Sequence, residues 1–267
     1  MPELPEVESV RRQLQPELSG RRVTDVWYDP HPNVPRQFVD VERLVGRTVR
    51  DVGRRGKFLI CPLDTGLELV IHLGMTGAFR FDFEDPNNRA EIHLHDGRML
   101  AFRDPRRFGR LAVVVRGDYA SIPMLATLGP EPLSDDFDPD RFARELARTT
   151  APVKPYLLTQ RPVAGVGNIY ADEALWLARI HPASRRVGPR RARDLHAAIR
   201  EVLTSAIERE GTTFSDYQMV NGEPGRNATF LVAYGRKGFP CLRCGTPLRG
   251  SVLGGRGTTY CPHCQRA

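Results

Sequence analysis

Hydrophobic residues recur at two different spacings along the chain, and the change between them divides it into parts. Val7, Val10, Leu14 and Leu18 lie three or four residues apart, which predicts an amphipathic helix over residues 4–18. From residue 21 to 116 the pattern changes to short alternating or apolar runs separated by turn residues. We expect eight strands, over residues 23–28, 48–52, 57–62, 67–73, 78–83, 92–95, 99–102 and 111–115. One helix followed by eight strands favours a β-sandwich or a barrel with that helix packed against it.

The second half of the chain has a helical period. Residues 128–140 are rich in glycine, proline and aspartate, which favours a hinge between domains. Four helices are expected after it, over residues 139–149, 154–159, 168–178 and 189–210. A glycine-rich loop at 163–167 precedes the helix that opens at Asn168, and bare N–H groups at a helix N-terminus suit a phosphate. A close-packed turn between two helices would use the same glycines.

Four of the five cysteines form a metal-binding pattern. They are Cys241 and Cys244, followed after sixteen residues by Cys261 and Cys264. Two such knuckles joined by a hairpin are typical of a four-thiolate zinc site. Disulfides are disfavoured in a chain without a signal-peptide pattern, and a redox site would need only one of the two CxxC motifs. His263 could compete as a ligand, although four thiolates already complete a tetrahedron, and Cys61 is expected to be a buried small hydrophobe.

Charge is distributed unevenly along the 267 residues. Residues 1–140 carry 19 basic and 23 acidic side chains, a net charge of −4, whereas residues 141–267 carry 20 and 9, a net charge of +11. A strongly basic half indicates a polyanionic partner. Only three of the 39 basic residues are lysines, Lys57, Lys154 and Lys237, so each marks a position that can use a compact, deprotonatable cation. No apolar run approaches a membrane span, and we expect a cytoplasmic protein.

The first residues carry candidate catalytic chemistry. Removal of Met1 would make Pro2 the N-terminus, with a secondary amine that titrates near pH ~8 and is partly uncharged at neutral pH. Such an amine condenses with an aldehyde carbon to give an iminium ion, which favours β-elimination, and the adjacent Glu3 could move the protons. Taken alone, a proline and acidic residues in the first turn of a helix favour a purely structural explanation.

Five separated motifs resemble those of the bacterial formamidopyrimidine-DNA glycosylases and follow the family order. They are Pro2-Glu3-Leu4-Pro5-Glu6-Val7-Glu8, His72-Leu73-Gly74-Met75, Asp104-Pro105-Arg106-Arg107-Phe108-Gly109, Gly165-Val166-Gly167-Asn168-Ile169-Tyr170, and Tyr234-Gly235-Arg236-Lys237-Gly238 with the four-cysteine finger. The resemblance implies an α+β multidomain protein. Its parts would be a catalytic β-sandwich with a packed N-terminal helix (1–129), a linker (130–140), a helix-two-turn-helix domain (141–230) and a zinc-finger β-hairpin (231–267). Damaged double-stranded DNA would lie in the cleft between the domains of a monomer that holds one structural zinc.

The resemblance also implies catalytic roles. The family flips an oxidised purine, such as 8-oxoguanine or a formamidopyrimidine, out of duplex DNA, removes it and cleaves the strand by β,δ-elimination. Pro2 would be the nucleophile at sugar C1′, and Glu3 the acid/base. Lys57 would transfer protons in β-elimination. Arg256 would clamp the leaving phosphate, because a guanidinium hardly gives up a proton.

Three residues would fill the space left by the flipped base. Met75 and Phe108 would replace lost stacking, and Arg106 would bind the orphaned partner base. Outside these motifs, the same residues would be interpreted as a core methionine, a core phenylalanine and a surface arginine. Residues 213–226 would form a lid over the flipped base.

Phosphate contacts are implied for four residues, which are His72, Lys154, Asn168 and Arg256. Asn168 is expected to cap its helix as well. Family members commonly carry histidines just before the strand at Ile92, where this chain has Arg89-Ala90-Glu91. We expect Arg89 to take over the DNA contact and Glu91 to turn away from the DNA.

Three other functions compete with this interpretation. An enzyme resembling endonuclease VIII would act on oxidised pyrimidines by the same mechanism, but Leu4 and the void-filling set favour the purine class. A DNA-binding zinc protein without activity would not need Pro2, Glu3 and Lys57. A tautomerase with an N-terminal proline would act on small ketoacids and would need neither a basic half nor a finger.

Overall fold

The computed structural model describes residues 1–31, 37–214 and 217–266. These residues form two compact units. The first unit comprises residues 1–126 and 209–228, and the second comprises residues 127–208 and 229–267. The segment 209–228 follows the helical part of the chain in sequence, yet it clusters with the N-terminal residues.

The first unit begins with helix α1 (Leu4–Leu18), as the hydrophobic spacing predicts. Glu3 is its N-cap residue, and its backbone N–H donates a 2.8 Å hydrogen bond to the carboxylate of Glu6. This bond satisfies one of the amide groups that no carbonyl of the helix can reach. The apolar face formed by Val7, Val10 and Leu14 is fully buried. The helix therefore fixes the position of the first residues of the chain.

Nine strands of the described residues form two sheets in this unit. They are β1 (Val23–Tyr28), β2 (Phe38–Val39), β3 (Gly53–Arg55), β4 (Phe58–Pro62), β5 (Leu67–His72), β6 (Ala78–Phe81), β7 (Asn88–Leu94), β8 (Met99–Arg103) and β9 (Arg110–Val115). One sheet has the order β1-β7-β8-β6 and the other β2-β9-β5-β4-β3, with only β2 and β9 parallel. Buried side chains of both sheets and of α1 form one core, so the predicted sandwich with a packed N-terminal helix is confirmed. A short helix, α2 (Pro123–Ala126), ends the N-terminal part.

The prediction was wrong for the second expected strand. Residues 48–52 form only isolated bridges, whereas the short strands β2 and β3 were missed. A two-residue turn, Gly56-Lys57, joins β3 to β4, and Gly56 has φ +56°, the conformation that glycine adopts at the first position of a hairpin turn. Lys57 therefore lies at the tip of a hairpin and not inside a strand.

The second unit is helical, with a C-terminal hairpin. Its elements are α3 (Pro139–Arg148), α4 (Val153–Leu158), α5 (Asn168–Leu177), α6 (Pro189–Glu208), β10 (Arg249–Leu253) and β11 (Arg256–Tyr260). The four predicted helices are confirmed to within two residues at each end. Every side chain of α5 from Ile169 to Trp176 is buried, because α4, α6 and β11 all pack around this helix. None of the described helices has the length and apolarity needed to cross a membrane.

Candidate active site and nucleic-acid contacts

Pro2 and Glu3 lie at the start of α1, and both are buried. The side chain of Glu3 is 2% exposed, whereas Met1 before them is 47% exposed. Loss of Met1 would leave the Pro2 amine directly beside the Glu3 residue whose backbone is fixed by Glu6. This arrangement would place a secondary amine and a carboxyl group, the groups that the predicted chemistry needs, next to each other.

Glu6 has a second role that the sequence analysis missed. One oxygen of its buried carboxylate accepts from Glu3, and the other accepts from the backbone N–H of Thr212 at 2.7 Å. The Tyr217 hydroxyl donates to the Glu6 carbonyl at 3.2 Å, and burial, followed by the Glu6 charge, raises the pKa of that phenol. The segment 209–228 is thereby tied to the N-terminus of α1. The only sequence signal was an acidic residue in the first helical turn, which a capping box alone would explain.

The predicted lid at 213–226 belongs to this tied segment. Residues 215–216 lie outside the described residues. The rest is anchored by Tyr217, Met219 and Val220, whose side chains are buried in the core of the first unit. A bridge pairs Thr212 with Arg226, which joins the two ends of the segment. The residues of the predicted lid therefore share one core with α1.

Lys57 is held close to α1 by contacts of Arg54, three residues before it. The Arg54 guanidinium donates to the Gly56 carbonyl at 3.0 Å and forms a 3.1 Å ion pair with Glu8 of α1. The side chain of Lys57 is 7% exposed. The structure thus attaches the hairpin that carries Lys57 to the helix that carries Glu3.

His72 lies beside this hairpin and is electrically neutral. Burial lowers its pKa to about 4, and the positive charges of Lys57 and Arg110 add to the effect. The Nδ1 atom accepts a hydrogen bond from the Gly74 N–H at 3.2 Å, so the proton of the neutral ring is on Nε2. His72 can therefore donate one hydrogen bond to an anion without carrying a charge.

Met75, Arg106 and Phe108 come from two loops that touch backbone to backbone. A Cβ on Gly74 would lie 2.5 Å from the Gly109 nitrogen, so only glycine permits this approach. Phe108 is 37% exposed, and the Arg106 guanidinium lies 5.2 Å from the centre of its ring. Met75 is half-buried. The structure thus brings the two loops that carry the predicted void-filling residues into contact.

Arg89 is half-buried and engaged by other groups of the first unit. Its side chain is 11% exposed and forms a 3.4 Å ion pair with Asp29. It also donates to the carbonyls of Pro86 and Asp104. The guanidinium is thus engaged within the first unit, and the DNA contact of Arg89 stays a prediction. Glu91 accepts a hydrogen bond from Asn88 at 3.1 Å.

Lys154 is also buried, in the second unit. Its side chain is fully buried, and Nζ forms a 2.7 Å ion pair with Asp172 and donates to the Gly257 carbonyl and the Thr258 hydroxyl, each at 2.9 Å. Burial raises the pKa of Asp172 to about 6 against the opposing effect of Lys154. These contacts hold β11, the strand that begins with Arg256. The predicted phosphate contact of Lys154 stays a prediction.

Asn168 and Arg256 are the remaining predicted phosphate contacts, and both belong to the second unit. Gly167, not Asn168, is the N-cap of α5. Asn168 lines a cavity of about 480 Å³ together with Tyr234, Lys237 and residues of the finger hairpin. Arg256 is exposed at the start of β11. Amide, hydroxyl and ammonium groups around one cavity suit an anionic ligand.

The four finger cysteines are placed to bind one metal ion. Their Sγ atoms all lie within 4.8 Å of one another. Zinc bound tetrahedrally at about 2.3 Å requires sulfur separations of about 3.8 Å, so the group fits. The Sγ atoms of Cys244 and Cys261 are 3.5 Å apart, too far for a disulfide. The Trp176 indole N–H donates to Cys241 Sγ at 3.4 Å, which connects the finger to α5.

Three family models match the sequence in succession. The formamidopyrimidine-DNA glycosylase N-terminal domain matches residues 1–111, and the formamidopyrimidine-DNA glycosylase H2TH domain matches residues 128–218. The zinc finger found in FPG and IleRS matches residues 238–267. The matches agree in order with the predicted sandwich, helical and finger regions.

Known proteins resemble the chain over nearly its full length. A formamidopyrimidine-DNA glycosylase of Deinococcus radiodurans is 48% identical, covering 99% of this chain and 97% of its own, and one of Thermus thermophilus is 49% identical, covering 99% and 98%. The crystal structure of the MutM (FPG) protein from Thermus thermophilus has a TM-score of 0.93 at 48% identity and covers 99% and 98% of the two chains. A Lactococcus lactis FPG mutant in complex with Fapy-dG-containing DNA has a TM-score of 0.88 at 35% identity and covers both chains fully.

Proposed function

This chain belongs to the formamidopyrimidine-DNA glycosylase family, and we propose that it removes oxidised purines from duplex DNA with Pro2 as nucleophile. The enzyme is a DNA glycosylase that also cleaves the strand at the resulting abasic site. The observation that carries the proposal is the burial of Pro2 and Glu3 together at the start of α1. We further propose that it acts as a monomer on chromosomal DNA in the bacterial cytoplasm. This second proposal rests on membership of the family alone.

The proposed first step joins Pro2 to the sugar. The Pro2 nitrogen attacks C1′, the glycosidic bond to the oxidised base breaks, and the base leaves with a proton. Glu3 supplies a proton to the ring oxygen, so the sugar opens and an iminium ion forms between Pro2 and C1′. The positive iminium nitrogen then withdraws electrons from the neighbouring carbon.

Two eliminations follow from that electron withdrawal. Loss of a proton from C2′ breaks the C3′–O bond, and a second elimination breaks the C5′–O bond, so phosphate remains at both ends of the gap. Lys57 is proposed to move the protons, since its ammonium is close to His72 and partly desolvated. Arg256 is proposed to stabilise the leaving phosphate by a bidentate contact.

DNA binding is proposed to use contacts on both units. His72 would donate Nε2–H to a phosphate, and Asn168 would do the same with its amide. Extrusion of a base costs a few kcal/mol of stacking and pairing. The proposed compensation is that Met75, Arg106 and Phe108 enter the DNA duplex at the position that the base has left. Zinc supplies no reaction step here, since four thiolates leave no open coordination position.

The substrate class is tested on labelled duplexes with a single lesion. One duplex carries 8-oxoguanine opposite cytosine and the other carries thymine glycol opposite adenine. We expect faster cleavage of the 8-oxoguanine duplex, with phosphate on both product ends, and loss of base excision in Glu3→Gln. Faster cleavage of the thymine glycol duplex would move the protein to the oxidised-pyrimidine class.

A further inference from the structure

One buried hydroxyl connects the two loops that carry the void-filling residues. Thr76 Oγ1 donates to Asp104 Oδ1 at 2.5 Å and accepts from the Arg106 backbone N–H at 3.2 Å. Thr76 is 3% exposed, and Asp104 is fully buried. Thr76 directly follows Met75 in the chain. The same side chain therefore fixes the distance between Met75 on one loop and Arg106 on the other.

Asp104 also fixes the far end of the second loop. Its Oδ2 accepts from the Gly109 N–H at 2.6 Å, just beyond Phe108. Between these ends, Arg107 has φ +57°, a conformation that costs energy for a residue with a side chain. Its guanidinium forms a 3.0 Å ion pair with Asp29. These contacts thus hold the loop on both sides of the left-handed Arg107 residue.

We propose that Thr76 and Asp104 are positioning residues that align Met75, Arg106 and Phe108 and thereby set the preference for the base opposite the lesion. The proposal rests on the proposed function, because void filling presumes base extrusion. Neither residue is exposed, so both act through the residues they hold. Arg106 is the member that would hydrogen-bond the orphaned base, and hydrogen-bond discrimination depends on sub-ångström placement.

The test compares Thr76→Val with Thr76→Ser. Valine keeps the shape but loses both hydrogen bonds, whereas serine keeps the hydroxyl. Single-turnover rates are measured for 8-oxoguanine opposite cytosine, for 8-oxoguanine opposite adenine, and for cleavage at a preformed abasic site. We expect Thr76→Val to slow excision opposite cytosine about tenfold and to reduce the cytosine-over-adenine preference about threefold, with abasic-site cleavage changed less than about threefold. Thr76→Ser should retain the wild-type pattern.

Two controls separate positioning from loss of stability. Tyr119→Phe removes another hydroxyl-to-carboxylate bond of the same unit, the 2.8 Å bond to Glu68, and should leave the opposite-base preference unchanged. In an Arg106→Ala background, Thr76→Val should add little further effect on that preference, because the two act as one unit. Equal slowing of all three reactions by Thr76→Val, or an unchanged preference, would overturn the inference. A wild type inactive on both 8-oxoguanine duplexes would instead show that the proposed function is wrong.

Discussion

The carboxylate of Glu6 joins the backbone of Glu3 to the backbone of Thr212. It accepts from the Glu3 N–H at 2.8 Å and from the Thr212 N–H at 2.7 Å, in a position that is 1% exposed. A Cβ on Gly211 would lie 2.7 Å from the same carboxylate. The start of α1 and the residue just before the predicted lid therefore share one buried carboxylate.

Glu6→Gln is expected to break this link while it preserves the shape of the side chain. A glutamine has one acceptor oxygen, so its amide group must face one of the two N–H donors. The two donors that then face each other, the glutamine NH2 and a backbone N–H, should lower the free energy of unfolding by about 1–3 kcal/mol and slow base excision. Amide hydrogen exchange at Glu3 and Thr212 checks the cause, since at least one of them should lose protection. Unchanged exchange at both amides would contradict this account, and Tyr119→Phe, which removes a 2.8 Å hydrogen bond to Glu68 elsewhere in the first unit, is the control.

His72 predicts a pH dependence of stability. Its folded-state pKa is about 4, below the value of about 6.5 expected in the unfolded chain. The folded state therefore binds fewer protons, and the contribution of His72 to stability is complete above pH 6.5 and is lost as the pH falls toward 4. The free energy of unfolding of the wild type relative to His72→Gln should fall by up to about 2 kcal/mol between pH 7.5 and 5. The contributions of other titrating groups are common to both proteins and cancel in this difference. A difference that does not change with pH would contradict the lowered pKa of His72.

The Lys154–Asp172 pair predicts an asymmetric response to substitution. Lys154→Met leaves the Asp172 carboxyl buried without its cation, and breaking a buried pair in this way costs about 3–5 kcal/mol. The double variant Lys154→Met/Asp172→Asn should recover part of that loss, because the uncompensated charge is gone. Urea unfolding measures both changes. Equal stability of the single variant and the wild type would show that the pair contributes nothing to the second unit.

Zinc removal should be visible in tryptophan fluorescence. Of the two tryptophans, Trp176 contacts Cys241 and lies 4.0 Å under the Arg243 guanidinium, whereas Trp27 lies in the first unit and is 44% exposed. Chelation should unfold the finger, change the emission of Trp176 and weaken DNA binding. Trp27→Phe should keep the fluorescence change, and Trp176→Phe should abolish it. A change that persists in Trp176→Phe would place the conformational response outside the finger.

Much of the architecture was predictable because local patterns and distant packing agree. The spacing of Val7, Val10 and Leu14 matches the face of α1 that is buried, and the paired CxxC motifs match the sulfur cluster. The helix bounds also followed from the helical period of the apolar residues. The short strands β2 and β3 were not predictable, since two or three residues carry no period of their own and depend on pairing with β9 and β4.

The surroundings of the site residues were less predictable from the sequence. A lysine in a basic half suggests a surface cation, yet Lys154 is buried against Asp172, a partner that the primary sequence does not reveal. Arg89 likewise is engaged by Asp29, sixty residues earlier. Glu6 and Thr212 are separated by 206 positions. Such contacts arise from tertiary packing, so motif positions alone could not distinguish a DNA contact from an internal ion pair.

The most direct test of the central claim is to locate the covalent bond to DNA. The wild-type protein is incubated with the 8-oxoguanine duplex and borohydride, which reduces an iminium ion to a stable amine, and the adduct is mapped by peptide mass spectrometry. The account predicts an adduct on the N-terminal peptide at Pro2, with Met1 absent. Lys57 also carries an amine, on the hairpin that Arg54 holds to α1. An adduct on Lys57 would contradict the assignment of Pro2 as nucleophile.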